Sequence, residues 1–100
     1  MTGKEIILAV KLTSKTGKES DLSSLCTWLL PQSRSEEGCI LYNFHSLNDD
    51  PQGFMFYEIW KDQAAFDFHN GTPYLAEFRE KLGDLVAADP EVTFLTQLEG

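Results

Sequence analysis

Cysteine, histidine and basic residues are all scarce in this chain, and each scarcity closes off a class of function. The two cysteines, Cys26 and Cys39, have no CxxC spacing. One falls in a helix-like stretch and the other in a strand-like one, so both read as reduced packing residues. The two histidines, His45 and His69, form no HxH or HxxxH arrangement. A metal centre needs several ligands at close spacing, so no metal is expected. Eight lysines and arginines stand against sixteen aspartates and glutamates, a formal net charge of -8. Such a surface repels phosphate backbones and anionic headgroups, which argues against nucleic acid and membrane partners. Apolar runs are short: Ile6 to Val10 is typical of the longest, far below the roughly 20 residues that span a bilayer. No stretch resembling a signal peptide opens the chain, so a cytoplasmic location is expected. Glycine-rich phosphate loops and the GxSxG elbow are missing too, which leaves no signal for dinucleotides, P-loop phosphates or an elbow serine.

What is present suffices for one core. With 42% hydrophobic and 24% charged residues, the composition is that of a globular protein, and residues 1–100 read as a single domain. From Glu5 to Leu12 both parities are apolar, Ile6, Leu8, Val10 and Leu12 on one and Ile7 and Ala9 on the other, as in a strand covered on both faces. Thr16-Gly17-Lys18-Glu19 has capping-box spacing, and Leu22, Leu25, Cys26 and Leu29 follow at helical intervals, which predicts a helix. Pro31 should end or bend it near Leu30. Cys39 to His45 and Phe54 to Trp60 are rich in strand formers, and the turn residues Asn48 to Gly53 between them predict an antiparallel hairpin with a loop of moderate length. Asp62 can cap a short helix through His69 that Gly71 stops, and Thr72-Pro73 opens another. Tyr74, Leu75, Phe78, Leu82, Leu85 and Val86 recur with a period of about 3.6 residues until Asp89-Pro90. Val92 to Glu99 alternates as a final strand. The order β-α-β-β-α-α-β predicts an α+β ferredoxin-like sandwich, an antiparallel sheet with helices on one face.

Helices on one face leave a problem on the other. Ile40, Tyr42, Phe44, Phe54, Phe56 and Trp60 share one parity, and Leu41, Met55, Tyr57 and Ile59 share the opposite one. Both faces are therefore apolar, and the second needs a cover. The same face of another copy is the simplest, so a homodimer is expected, with an unusually wide ligand groove as the competing explanation.

Polar residues among these apolar runs are the candidates for chemistry. His69 has Ala65 and Phe66 behind it on its helix, which turns its ring toward the sheet; it reads either as a hydrogen-bonded core histidine or as a pocket base or donor. Asn43 and His45 share a strand face, with Tyr57 opposite Asn43 if the hairpin register is unbroken. A bulge would exchange that set for Phe56, Glu58 and Trp60. His45, close to the loop, is read as exposed or as a further pocket contact. Glu58 is either an ion-pair partner on the strand face or a buried carboxyl with a raised pKa.

The stretch Phe54 to Tyr74, FMFYEIWKDQAAFDFHNGTPY, and Glu36-Glu37-Gly38-Cys39 before the second strand resemble the signature of the antibiotic biosynthesis monooxygenase superfamily. That signature runs from an EPGC-like lead-in through F-x-x-Y-E-x-W to a capped helix ending in His and a Ser/Thr-Pro restart. The resemblance covers nearly the whole chain in element order and implies a dimeric α+β barrel with a pocket between helices and sheet in each protomer. It further implies a cofactor-independent monooxygenase acting with O2 on a small aromatic or hydroquinone-type substrate. His69 would serve as base, Asn43 and Tyr57 as donors to the developing anion, and Trp60, Phe66, Tyr74 and Phe78 as the wall, with His45 a further substrate contact. Two positions depart from the family pattern. Tyr74 stands where a histidine is frequent, and Val10 stands where haem-degrading relatives carry asparagine, which argues against haem. Two other readings compete: an isomerase-type enzyme for a small carbonyl compound, as in the autoinducer-2-processing branch, and a non-catalytic dimeric ligand-binding domain.

Overall fold

The computed structural model describes residues 4–100, and its elements follow the expected order: β1 (Ile6–Thr13), α1 (Glu19–Arg34), β2 (Cys39–Leu47), β3 (Asp50–Trp60), α2 (Gln63–Asn70), α3 (Pro73–Leu82) and β4 (Glu91–Leu95). The sheet runs β2-β3-β1-β4, with all neighbours antiparallel. This is the ferredoxin-like α+β sandwich. Leu22, Cys26 and Leu29 of α1 and Leu75, Phe78 and Leu82 of α3 join Leu8, Leu12, Tyr42, Phe54, Phe56 and Trp60 in one buried cluster. All three helices thus lie on the face to which the even-numbered residues of β1 and β3 point. Trp60 is wholly buried there, and its truncation to alanine would cost about 3–5 kcal/mol.

Local boundaries differ from the sequence expectations at five places. The capping box at Thr16 does not form. Lys18 is the N-cap without a side-chain bond, and Glu19 instead accepts from Gly17 N at 3.2 Å, where Gly17 adopts a φ of 87° that suits glycine. Pro31 does not end α1, which continues to Arg34. Pro31 and Thr27, whose carbonyl loses its partner, are both exposed to water, while Leu22, Cys26, Leu29 and Ser33 hold the opposite side of the helix in the core. The hairpin connection is shorter than expected, because Leu47 already pairs with Asp50 and the ladder shifts register between Ser46 and Leu47. The third helix stops at Leu82, and β4 ends at Leu95. Leu85 and Val86 instead brace the end of β1: Lys15 N donates to Leu85 O at 2.9 Å, and Val86 bridges Ser14.

The helix caps at the centre of the chain form as the residues suggest. Asp62 accepts from Ala65 N at 2.9 Å, and Thr72 caps α3 with Pro73 at its first turn. Thr72 Oγ1 also donates to His69 O at 2.8 Å, tying the last turn of α2 to the first of α3. Gly38 sets how near α2 approaches the sheet, since a Cβ there would collide with that of Ala65. None of the helices is long and apolar enough to cross a membrane among the described residues.

Candidate active site

Between the helix face of the sheet and helices α2 and α3 lies a cavity of about 520 Å³. Its wall is mostly apolar: Leu8, Val10 and Leu12 from β1, Tyr42 and Phe56 from the hairpin, Phe66 from α2, and Leu75, Phe78 and Leu82 from α3. Val92 and Phe94 of β4 close one side, with Phe94 60% exposed and edge-on to Phe66 at 5.9 Å. The polar groups on the wall are few: Glu58, His69, Asn70 and Arg79. A small set of polar groups in an apolar cleft is the usual make-up of a small-molecule site.

His69 is the best-defined of these groups. Its ring stacks on Trp60 with centroids 4.3 Å apart and meets Tyr42 edge-on at 5.6 Å. Its Nδ1 lies 2.8 Å from Glu36 Oε2, and both residues are buried. The same carboxylate oxygen accepts the Tyr74 hydroxyl at 2.5 Å. Burial holds the His69 pKa below the ordinary histidine value, opposed by the bond to Glu36, so the imidazole is neutral at pH 7. A neutral ring facing a carboxylate places its proton on Nδ1. Among the described residues Nε2 makes no hydrogen bond, and it is not one of the sealed unpartnered atoms, Ser33 Oγ and Glu36 Oε1, while His69 itself lines the cavity. Nε2 is thus left without a protein partner and not sealed.

Glu58 is the second titratable group of the wall. It is buried, and its Oε1 accepts from Trp60 Nε1 at 2.9 Å. Burial pushes its pKa up to about 7, assisted by the charge of Glu36 and opposed by the Trp60 bond and Arg79. Near neutral pH a large fraction of Glu58 is consequently a carboxylic acid that can donate a hydrogen bond. Of the two readings of Glu58 from sequence, the buried carboxyl is the one formed. Tyr42 carries its phenol against the same cavity, and burial, with Glu58 nearby, raises its pKa far above the usual range.

The expected constellation is divided by the sheet. Tyr57 does pair with Asn43, but both lie on the parity opposite Glu58 and Trp60 and so face away from His69. Asn43 Oδ1 accepts from Arg34 Nη2 at 3.1 Å, and Arg34 Nε also binds Tyr42 O at 2.9 Å. His45 is exposed, its Nδ1 3.3 Å from Met55 O. These three residues do not meet His69 in one pocket. The register between Leu41 and Ser46 is unbroken, but the aromatic parity, Phe54, Phe56 and Trp60, fills the space under the helices, and that turns Asn43, His45 and Tyr57 outward. Phe66 and Phe78 line the cavity. Trp60 lies behind His69 without lining it, and Tyr74 is drawn off to Glu36.

Glu36 and Tyr74 border a second cleft of about 510 Å³, with Gly38, Lys61, Asp62, Ala65 and Phe68 around it. Glu36 had no role in the sequence reading, although it opens the Glu36-Glu37-Gly38-Cys39 segment. Its partners stand 33 and 38 positions away, a separation that periodicity does not register. Among the described residues no three of His, Cys, Asp and Glu stand together as metal ligands would.

Comparison with known proteins places this geometry among relatives. Residues 5–81 match the family described as Antibiotic biosynthesis monooxygenase. A Synechocystis protein, sll1783, of uncharacterized role, is 38% identical over 87 residues, which cover 87% of this chain and 59% of that protein, so the chain spans about three fifths of that relative's length. The Bacillus subtilis protein named "Putative monooxygenase YcnE" is 32% identical over 87% of this chain and 92% of its own length. The crystal structure of PA3566 from Pseudomonas aeruginosa superposes with a TM-score of 0.91 at 25% identity, covering 99% of both chains.

Proposed function

This chain belongs to the antibiotic biosynthesis monooxygenase family, and from that premise we propose that it oxidises a small phenol or hydroquinone with O2 in the cavity beside His69. The carrying observation is the buried His69, which lines an apolar cavity while its Nδ1 is engaged by Glu36 and its Nε2 has no partner among the described residues. His69 Nε2 takes the proton of a substrate hydroxyl, and the phenolate, far richer in electrons than the phenol, passes one electron to oxygen. Glu58, as the acid, donates to the oxygen that gains charge. The reaction balances without an external reductant: a phenol C–H becomes a quinone carbonyl that keeps one atom of O2, and the other leaves as water with two substrate hydrogens. The aromatic wall of Tyr42, Phe56, Phe66 and Phe78 suits a planar ring and keeps competing water out.

The outer face of the sheet supports a second part of the reading, a homodimer. Leu41, Met55, Tyr57, Ile59 and Leu95 lie on the parity opposite the helices and keep part of their surface exposed, and a second copy laid sheet to sheet about a two-fold axis would bury them. Asn43 and Tyr57 then belong to the subunit contact and not to the chemistry.

Glu58 favours one alternative reaction, since an acid and a base on one wall also suit enolisation of a small carbonyl compound. An oxygen electrode separates the readings on purified protein treated with chelator. Hydroquinones should draw down one O2 per substrate consumed. Isomerisation of a carbonyl substrate without oxygen uptake would replace the monooxygenase with an isomerase, and saturable binding with no product at all would leave a ligand-binding domain.

A further inference from the structure

We propose that Glu36 is the positioning residue of the site: it fixes the tautomer of His69 so that the cavity meets a bare nitrogen, and Tyr74 holds the carboxylate in place to do so. This inference rests on the reading of His69 as the base and deepens it. Glu36 stands in the turn between α1 and β2, where its N donates to Ser33 O and its O accepts from Cys39 N, both at 3.1 Å. From that turn one carboxylate oxygen gathers a donor from α2, His69 Nδ1 at 2.8 Å, and a donor from α3, Tyr74 Oη at 2.5 Å. Three elements distant in sequence are thus joined at a single atom. The arrangement is asymmetric: among the described residues Oε1 is sealed and unpartnered while Oε2 receives both donors. Each donor that Oε2 accepts draws on the charge that would otherwise fall on the imidazole. Tyr74 therefore both restrains the carboxylate from swinging into the second cleft and moderates its pull on the His69 proton. A histidine without such a partner is free to place its proton on Nε2, and the cavity would then face a donor that cannot act as a base.

The groups that face the His69 ring are Glu36 from the α1–β2 turn, Tyr42 from β2, Glu58 and Trp60 from β3, and Arg79 from α3. Of these, only Glu36 is within hydrogen-bond distance of a ring nitrogen. The proposal can therefore be tested without substrate, by nitrogen NMR of the ¹⁵N-histidine-labelled protein, with His45 assigned through a His45→Gln variant. The native protein should show His69 with its proton on Nδ1, and a proton on Nε2 would overturn the proposal. Glu36→Gln keeps an oxygen acceptor but loses the charge. It should retain the tautomer while the imidazole titrates at lower pH by about one unit or more, and an unmoved midpoint would overturn the role of Glu36. Tyr74→Phe should keep the tautomer and raise the midpoint, because the carboxylate regains its full charge; no change would remove Tyr74 from the arrangement. Because both readouts come from ligand-free protein, a failure to consume oxygen would discard the monooxygenase reading and leave this result standing.

Discussion

Both faces of the one sheet carry apolar side chains, yet they are put to different use. The inner face presents Tyr42, Phe56, Glu58 and Trp60 to three helices, and its polar groups are buried and shifted in pKa: Glu58 toward neutrality and His69 below its ordinary value. The outer face presents Asn43, Tyr57, Met55 and Ile59 partly to solvent, and Asn43 is occupied by an arginine from the end of α1. What separates them is enclosure rather than composition. A carboxyl or imidazole on the inner face loses water and must take its charge from its neighbours, and this makes it a chemical group of adjustable strength. In a single copy the same side chain on the outer face would remain in contact with water.

That contrast can be broken most directly at His69. Replacing it with alanine should lower kcat/KM by about 10²- to 10⁴-fold, while circular dichroism and gel filtration stay those of the parent. Turnover that survives would remove the inner face from the chemistry.

Glu58 gives the next largest effect, in the pH dependence of stability. Its folded pKa of about 7 lies above the ordinary glutamate value of 4.5, so between these values the unfolded chain is ionised and the folded one still holds the proton. Stability from this group is complete below about pH 4.5 and is lost as pH rises to about 7, a fall of about 3 kcal/mol. His69 acts in the opposite direction: with its folded pKa lowered, it removes stability as pH falls below the unfolded value. Glu58→Gln keeps an acceptor for Trp60 and should abolish the loss on the alkaline side. Urea denaturation at pH 5 and pH 8 measures it, and equal differences in parent and variant would show that Glu58 is ionised throughout.

The homodimer proposed for the outer face is tested by sedimentation: the parent should be a dimer at micromolar concentration and Ile59→Lys a folded monomer, whereas a monomeric parent would discard the homodimer and a variant dimer would mean that another surface joins the copies. The smallest effect is expected of Asn43→Ala with Tyr57→Phe. Within the oxygen assay this pair should change kcat by less than about threefold, since neither side chain lines the cavity. A loss comparable with that at His69 would return the outer face to the mechanism.

Much of the fold was legible because short-range chemistry writes it. Asp62, Thr72-Pro73 and the strand-forming runs mark their own elements, and the resemblance carried by Phe54 to Tyr74 agrees with the family match over residues 5–81. Among the boundaries that differ, those at Pro31 and at Asn48 to Gly53 are places where packing outweighs a local preference. The site was legible only in part. His69, Phe66 and Phe78 line the cavity, Asn43, His45 and Tyr57 do not, and Glu36 went unassigned.

The sequence by itself determined the alternation along each strand and the helix that carries His69 at its end. Only the tertiary structure decided which parity went under the helices, because apolar residues on both parities offer burial on either side and the choice falls to the packing of whole elements. It alone also brought Glu36 to His69 and Tyr74, since a carboxylate finds partners more than thirty residues away through the path of the chain and not through any pattern along it.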